Sequence, residues 1–104
     1  MIGKYKVITL CGSTKFYDDF IRIQKELTLN GIIVISVGFF GRSDETEVLS
    51  TETKEMLDDM HKRKIDMADE IFVINKNGYI GSSTRSEIEY AEATGKKVNY
   101  LERY

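Results

Sequence analysis

Four short apolar runs alternate along the chain with three longer segments that have the periodicity of amphipathic helices. The runs are rich in β-branched residues and are predicted as buried strands over residues 5–11, 32–37, 70–74 and 97–101. The intervening segments are predicted as helices over residues 15–30, 50–68 and 84–94. Strands that are apolar throughout are typical of a parallel sheet covered by helices on both faces.

This alternation predicts one α/β domain over residues 1–104, a Rossmann-like or flavodoxin-like three-layer sandwich of βαβαβαβ type. Because crossovers between parallel strands are right-handed, the simplest four-stranded parallel sheet has the order 2-1-3-4. The chain then reverses direction between the first and third strands, and ligands bind beyond the carboxyl ends of strands at such a point. We therefore expect the functional site in residues 12–15 and 75–87, which follow these two strands.

Composition excludes several classes of protein. The 104 residues include 15 Lys and Arg against 17 Asp and Glu, so the net charge of -2 gives no basic excess for binding nucleic acid. The longest apolar stretch, near residues 32–40, is too short to span a membrane, and residues 1–11 lack the features of a signal peptide. A single Cys is consistent with a reducing compartment. We therefore expect a cytoplasmic protein without nucleic-acid or membrane partners.

The first candidate ligand-binding segment, Gly12-Ser13-Thr14-Lys15, joins the first predicted strand to the first predicted helix. Gly12 allows a ligand to approach the backbone closely, and the free amides at a helix start attract anions. Ser13 and Thr14 add hydroxyl groups, and Lys15 adds a positive charge. The spacing matches neither the P-loop nor the dinucleotide-binding glycine motif. A phosphate cradle and a turn that merely caps the helix both remain open.

The second candidate segment surrounds the start of the third predicted helix, where Gly81, Ser82 and Ser83 precede Thr84 and Glu87. A carboxylate such as that of Glu87 can attack an anomeric carbon when the departing base leaves an oxocarbenium-like centre. The neighbouring hydroxyl groups suit a sugar or a phosphate. However, Thr84-x-x-Glu87 also has the spacing of a capping box, which would serve only to start the helix. On these residues alone the capping box is the favoured interpretation.

The single histidine, His61, is predicted to face the sheet. Three apolar residues lie within about 40° of it on a helical wheel: Leu57, Ile65 and Ala68. A histidine on an apolar face is more often a core residue than a catalyst. From Asp69, where the third strand begins, the helix rises about 12 Å to His61 and the strand climbs about 16 Å, so the imidazole should reach the ligand-binding edge. Asp58, about 60° away around the helix, is its candidate companion.

No cofactor and no metal site are predicted, because the chain has only one His and one Cys. Cys11 ends a buried strand and is expected to pack in the core rather than to act as a nucleophile. Phe39, Phe40 and Tyr79 are candidates for stacking on a base, and residues 41–43 are candidates for a second anion contact.

These motifs together resemble the nucleoside 2-deoxyribosyltransferase-like family, which includes the 2'-deoxynucleoside 5'-phosphate N-hydrolases. The resemblance rests on Cys11-Gly12-Ser13 after the first strand, Ala68-Asp69 before the third, the Gly/Ser loop, and Glu87, which lies 18 residues after Asp69. It implies that Glu87 attacks C1' of a (deoxy)nucleoside or its 5'-monophosphate and releases the base. Water, or a second base, then takes the sugar. The alternative is a non-catalytic nucleotide-binding module on the same fold, in which Glu87 only caps its helix.

The resemblance also implies roles for the other candidate residues. Gly12, Ser13 and Thr14 look like the cradle of the 5'-phosphate, and Ser82 and Ser83 look like part of a second phosphate loop. His61, with Asp58, would assist proton transfer.

The chain departs from the family pattern at three positions. The family's tyrosine on the first strand is Thr9 here, and its helix aspartate is His61. The transferases' aspartate six residues before the nucleophile is Gly81, which favours the phosphate-binding branch. The resemblance further implies a homodimer in which the neighbouring subunit donates a residue from beyond the last strand. Since this chain ends at Tyr104, the donated group is expected to come from elsewhere or to be missing.

Overall fold

The computed structural model describes residues 3–39 and 49–103. The strands are β1 (Val7–Gly12), β2 (Ile33–Ile35), β3 (Glu70–Ile74) and β4 (Lys97–Tyr100). The α-helices of the described residues are α1 (Tyr17–Leu29), α2 (Thr51–Asp66) and α3 (Ser82–Ala93), and short 3₁₀ helices cover Thr14–Phe16 and Lys76–Gly78. In these ranges no helix is long and apolar enough to cross a membrane.

The four strands form one parallel sheet in the order β2-β1-β3-β4. The register places Cys11 opposite Val73 and Gly12 opposite Ile74, so β1 and β3 end together at the carboxyl edge of the sheet. This confirms the predicted α/β class, the parallel sheet and its strand order, which is that of a flavodoxin-like fold.

Each face of the sheet carries its own hydrophobic cluster because successive residues of a strand point to opposite faces. One cluster joins the sheet to α2 and α3 through Cys11, Ile65, Ile71, Val73, Ile88 and Ala91. The other joins the sheet to α1 through Leu10, Phe20, Ile23 and Ile74. The helices therefore cover both faces, which gives the three layers expected from the apolar strands.

Gly12 ends β1 in a conformation that fits glycine alone. Its φ of +149° is rarely adopted by other residues, and a Cβ atom placed on it would lie 2.8 Å from the carbonyl oxygen of Ile74. The absence of a side chain thus lets the two central strands stay paired up to the carboxyl edge of the sheet.

A buried hydroxyl group joins α2 to the centre of the sheet. Thr9 is fully buried on β1, and its hydroxyl donates a hydrogen bond of 2.9 Å to the backbone carbonyl of Lys64. This bond and the packing of Ile65 hold α2 against the sheet. The preceding turn of α2 then carries His61 to the carboxyl edge, as the helix and strand geometry predicts.

The start of α3 differs from the prediction, and the proposed capping box is wrong. The helix begins at Ser82 rather than Thr84, with Gly81 as its N-cap and no side-chain capping bond. Thr84 is instead the third residue of the helix, and its side chain is buried. Glu87 therefore lies in the second turn, where a capping role does not account for it.

Candidate functional site

A cavity of about 350 Å³ lies at the carboxyl edge of the sheet, next to the segments that follow β1 and β2. Its polar lining comes from Thr14, Asp58, His61, Lys64 and Glu87. The apolar part of its wall is formed by Val37, Leu49, Leu57 and Met60. The cavity therefore joins an apolar surface to a small set of convergent polar groups, as ligand sites do.

Three side chains of different chemistry meet beside this cavity. The Sγ atom of Cys11 lies 3.5 Å from Nε2 of His61, and that nitrogen lies 3.8 Å from Oε1 of Glu87. One ligand atom from each of the three residues lies within 4.8 Å of the other two. All three side chains are buried. We call these three residues the Cys–His–Glu cluster.

Helix periodicity explains why these side chains converge. His61 lies one turn before Ile65 on α2, and Glu87 lies one turn before Ala91 on α3. Ile65 and Ala91 both pack with Cys11 in the same core cluster. Residues four apart share a helix face, so His61 and Glu87 point toward the end of β1.

Burial dominates the ionisation of the cluster. It raises the pKa of Glu87 from its ordinary 4.5 to about 7, although a hydrogen bond from the Cys11 thiol acts in the opposite direction. Burial, together with the charge of Lys64, lowers the pKa of His61 from 6.5 to about 4. Burial also raises the pKa of the Cys11 thiol well above its usual value, and the charge of Glu87 adds to this effect.

At neutral pH the charge of the cluster consequently comes from Glu87 alone. His61 is neutral and Cys11 is a thiol, so the close approach of His61 to Glu87 joins a neutral imidazole to a carboxyl group and is not an ion pair. Glu87 changes charge near pH 7 beside the cavity. Such a group can act as a nucleophile or base when ionised and as an acid when protonated.

The structure brings together four of the residues that the sequence singles out. Thr14, Asp58, His61 and Glu87 all line the cavity. Asp58 is itself exposed, but its charge acts on both His61 and Glu87. The two predicted catalytic groups and their predicted companion thus share one site.

Ser13 and Lys15 make contacts of their own after β1. The Ser13 hydroxyl accepts a hydrogen bond of 3.3 Å from the Lys15 amide and caps the first 3₁₀ helix. The Lys15 ammonium group lies 3.5 Å from the ring centroid of Tyr79 in a cation–π contact. In the described part of the chain, Thr14 is the member of the predicted phosphate cradle that lines the cavity.

Gly81, Ser82 and Ser83 form the start of α3. Ser82 and Ser83 are exposed, and Gly81 packs near the ring of Tyr79. They follow β3, as the sequence predicts, but they are not among the described residues that line the cavity, and their role in binding phosphate stays a prediction.

Only some of the residues predicted to stack on a base or to bind a second anion lie in the described part of the chain. Phe39 packs edge-on against Tyr17 and Phe20, with ring centroids 4.8 Å and 5.3 Å away. Phe40 and residues 41–43 lie outside the described residues.

Among the polar and ionisable groups of the site, sequence reasoning missed the roles of Lys64 and Cys11. Lys64 lines the cavity and donates a hydrogen bond of 3.0 Å to the backbone carbonyl of Ser36. Its position three residues after His61 on the same helix is the signal that would have found it. Cys11 is a core residue, as expected, but it is also part of the cluster; the signal there is its position at the carboxyl end of β1.

No family model, curated protein or solved structure matches this chain. The geometry and chemistry of the site are therefore the basis for assigning a function.

Proposed function

We propose that the chain is an N-glycosidase of the nucleoside 2-deoxyribosyltransferase-like type. Its substrate is a (deoxy)nucleoside 5'-monophosphate or nucleoside, and Glu87 is the nucleophile. The observation that carries the proposal is the buried carboxyl group of Glu87, which faces a cavity of about 350 Å³ at the carboxyl edge of a parallel sheet. Since Glu87 does not cap its helix, its burial beside this cavity favours a chemical role.

The cavity suits a small ligand with one apolar and one polar part. Its volume falls within the range of roughly 300–1,000 Å³ found for small-molecule sites. The apolar wall, which includes Leu57 and Met60, suits the face of a base. Asp58 and Glu87 are among the polar lining residues, which suit the sugar and the bond that breaks.

The proposed reaction has two steps. A carboxylate oxygen of Glu87 bonds to C1', and the C1'–N bond breaks with its electron pair leaving on the base, which takes up a proton. Water then attacks C1' of the glycosyl ester, loses a proton, and releases the sugar and the Glu87 carboxylate. His61, 3.8 Å from Glu87, and Asp58 at the cavity wall are the groups that assist these proton transfers.

A 5'-phosphate would bind near Thr14 and Lys64, which both line the cavity. Thr14 offers its hydroxyl group. Lys64 supplies a positive charge at the same cavity. Its ammonium group has donors beyond the one used by the Ser36 carbonyl.

The test is chromatography of nucleosides and nucleoside 5'-monophosphates after incubation with the protein, with free base as the readout. Glu87→Gln should abolish base release, because an amide cannot form the glycosyl ester. The control is Glu89→Gln, an exposed carboxylate on the same helix, which should keep the wild-type rate. Mass spectrometry of the wild type mixed rapidly with substrate should find the sugar attached to the peptide containing Glu87.

Two outcomes contradict the proposal. Equal rates of base release in Glu87→Gln and the wild type would remove Glu87 as nucleophile. Nucleotides that raise the melting temperature but yield no free base would identify the alternative, a non-catalytic nucleotide-binding module.

A further inference from the structure

We propose that the Cys–His–Glu cluster is a binding site for a borderline-soft divalent cation, with Zn²⁺ as the best match. The site consists of Cys11 Sγ, His61 Nε2 and a carboxylate oxygen of Glu87, with ligand atoms that all lie within 4.8 Å of one another. This inference concerns metal binding and does not rest on the proposed glycosidase activity.

Two of the three separations in the cluster are close to those of a tetrahedral zinc centre. The third, between Cys11 and Glu87, lies within the 4.8 Å span of the cluster and would become about 3.6 Å on zinc binding. Zinc bonds of about 2.3 Å to sulfur and about 2.0–2.1 Å to nitrogen at the tetrahedral angle place the two ligand atoms about 3.6 Å apart. The observed separation of Cys11 Sγ and His61 Nε2 is 3.5 Å. Nitrogen and carboxylate ligands would lie about 3.4 Å apart, and the observed 3.8 Å between His61 and Glu87 closes with a small rotation of the carboxyl group.

The donor set selects the kind of cation. A thiolate, an imidazole and a carboxylate together suit Zn²⁺, whereas Mg²⁺ and Ca²⁺ prefer oxygen ligands alone. The Leu10 backbone beside His61 raises the pKa of the imidazole, as a carbonyl oxygen that faces a ring N–H does. A carbonyl in that position orients a metal-binding imidazole and is a usual support of a histidine ligand.

The remaining coordination position would face the cavity. His61 and Glu87 line the cavity, while Cys11 lies beneath them in the core, fully buried. Three protein ligands with a fourth position open to water or substrate is the arrangement of catalytic zinc sites. On binding, the sulfur–metal bond forms as the Cys11 thiol releases its proton to solvent.

The cation also bears on the proposed glycosidase. Once Glu87 is a metal ligand, its carboxylate is not free to attack C1'. Zn²⁺ should therefore inhibit base release if that activity is present, but the binding test does not depend on it.

The test is titration of untagged, chelator-treated protein with Co²⁺, which reports its ligands through absorption. One equivalent of Co²⁺ should produce a near-ultraviolet thiolate charge-transfer band and intense visible bands of tetrahedral cobalt. Because the chain has a single Cys, the thiolate band can come only from Cys11. Addition of Zn²⁺ should remove both sets of bands as it displaces the cobalt.

Variants and a second measurement make the assignment specific. Glu87→Gln should weaken Co²⁺ binding by about tenfold or more, whereas Glu89→Gln should bind as the wild type does. X-ray absorption of the Zn²⁺-loaded wild type, which needs no variant to fold, should show one sulfur at about 2.3 Å with nitrogen and oxygen at about 2.0 Å. Absence of the thiolate band, equal affinity in the two variants, or a zinc shell without sulfur would each overturn the proposal.

Discussion

Replacing Glu87 by Gln should stabilise the metal-free protein at alkaline pH and leave its stability nearly unchanged at pH 5. Gln keeps the shape of the side chain and removes its ionisation. The pKa of Glu87 is about 7 in the folded protein against an ordinary value of 4.5. Folding therefore disfavours the charged form, and the penalty is absent below pH 4.5, grows as the pH rises, and is complete above about pH 7.

The size of this effect follows from the shift. Each pKa unit corresponds to 1.36 kcal/mol, so the full penalty in the wild type is roughly 3 kcal/mol. At pH 5 only about 1 kcal/mol of it is present. The amide weakens the hydrogen bond with Cys11, at about 1 kcal/mol, but that loss is nearly the same at both pH values. The stabilisation by Glu87→Gln should thus be about 2 kcal/mol larger at pH 8 than at pH 5.

The assay is urea denaturation of wild type and variant at pH 5 and pH 8, with a chelator present. Glu89→Gln, an exposed carboxylate on the same helix, should show no comparable pH dependence. If the difference in unfolding free energy between wild type and Glu87→Gln is the same at both pH values, the reasoning about the buried carboxyl group is refuted.

Three further predictions concern the site and the fold around it. With a chelator present, kcat/KM for base release should rise with pH through about 7 as Glu87 ionises, and a flat profile would contradict its role as nucleophile. Gly12→Ala should lower the melting temperature more than Gly31→Ala: both positions have positive φ, but only Gly12 would place a Cβ against the β3 backbone. Equal losses would count against the steric argument. Asn75→Ala should cost about 2–3 kcal/mol in denaturation experiments, because the buried amide makes two hydrogen bonds to the Glu102 backbone; a loss below about 0.5 kcal/mol would show that water replaces both.

The strand order was predictable because it follows from apolar runs and helix periodicity, which can be recognised in the sequence. The β-branched run at Glu70–Ile74 has the predicted bounds, and helix periodicity placed His61 toward the sheet. Both results depend on burial of apolar faces, which dominates the energetics of a parallel sheet.

The parts of the site that escaped prediction depend on contacts between distant segments. The Thr84-x-x-Glu87 spacing has the form of a capping box, but the extended backbone of Gly81 starts the helix two residues earlier. The close approach of Cys11, His61 and Glu87 was not predicted either, since the three side chains come from β1, α2 and α3. The spacing of residues along the chain does not reveal that three distant elements come together in the fold.

The lone cysteine also gives the protein an internal reporter of motion. Cys11 is fully buried beneath His61 and Glu87, so a thiol reagent can reach it only when α2 or α3 moves away from the end of β1. The rate of alkylation in the native protein therefore measures how often this corner of the fold opens. A ligand that holds the corner closed would slow the labelling, and no added dye or second cysteine is needed to observe it.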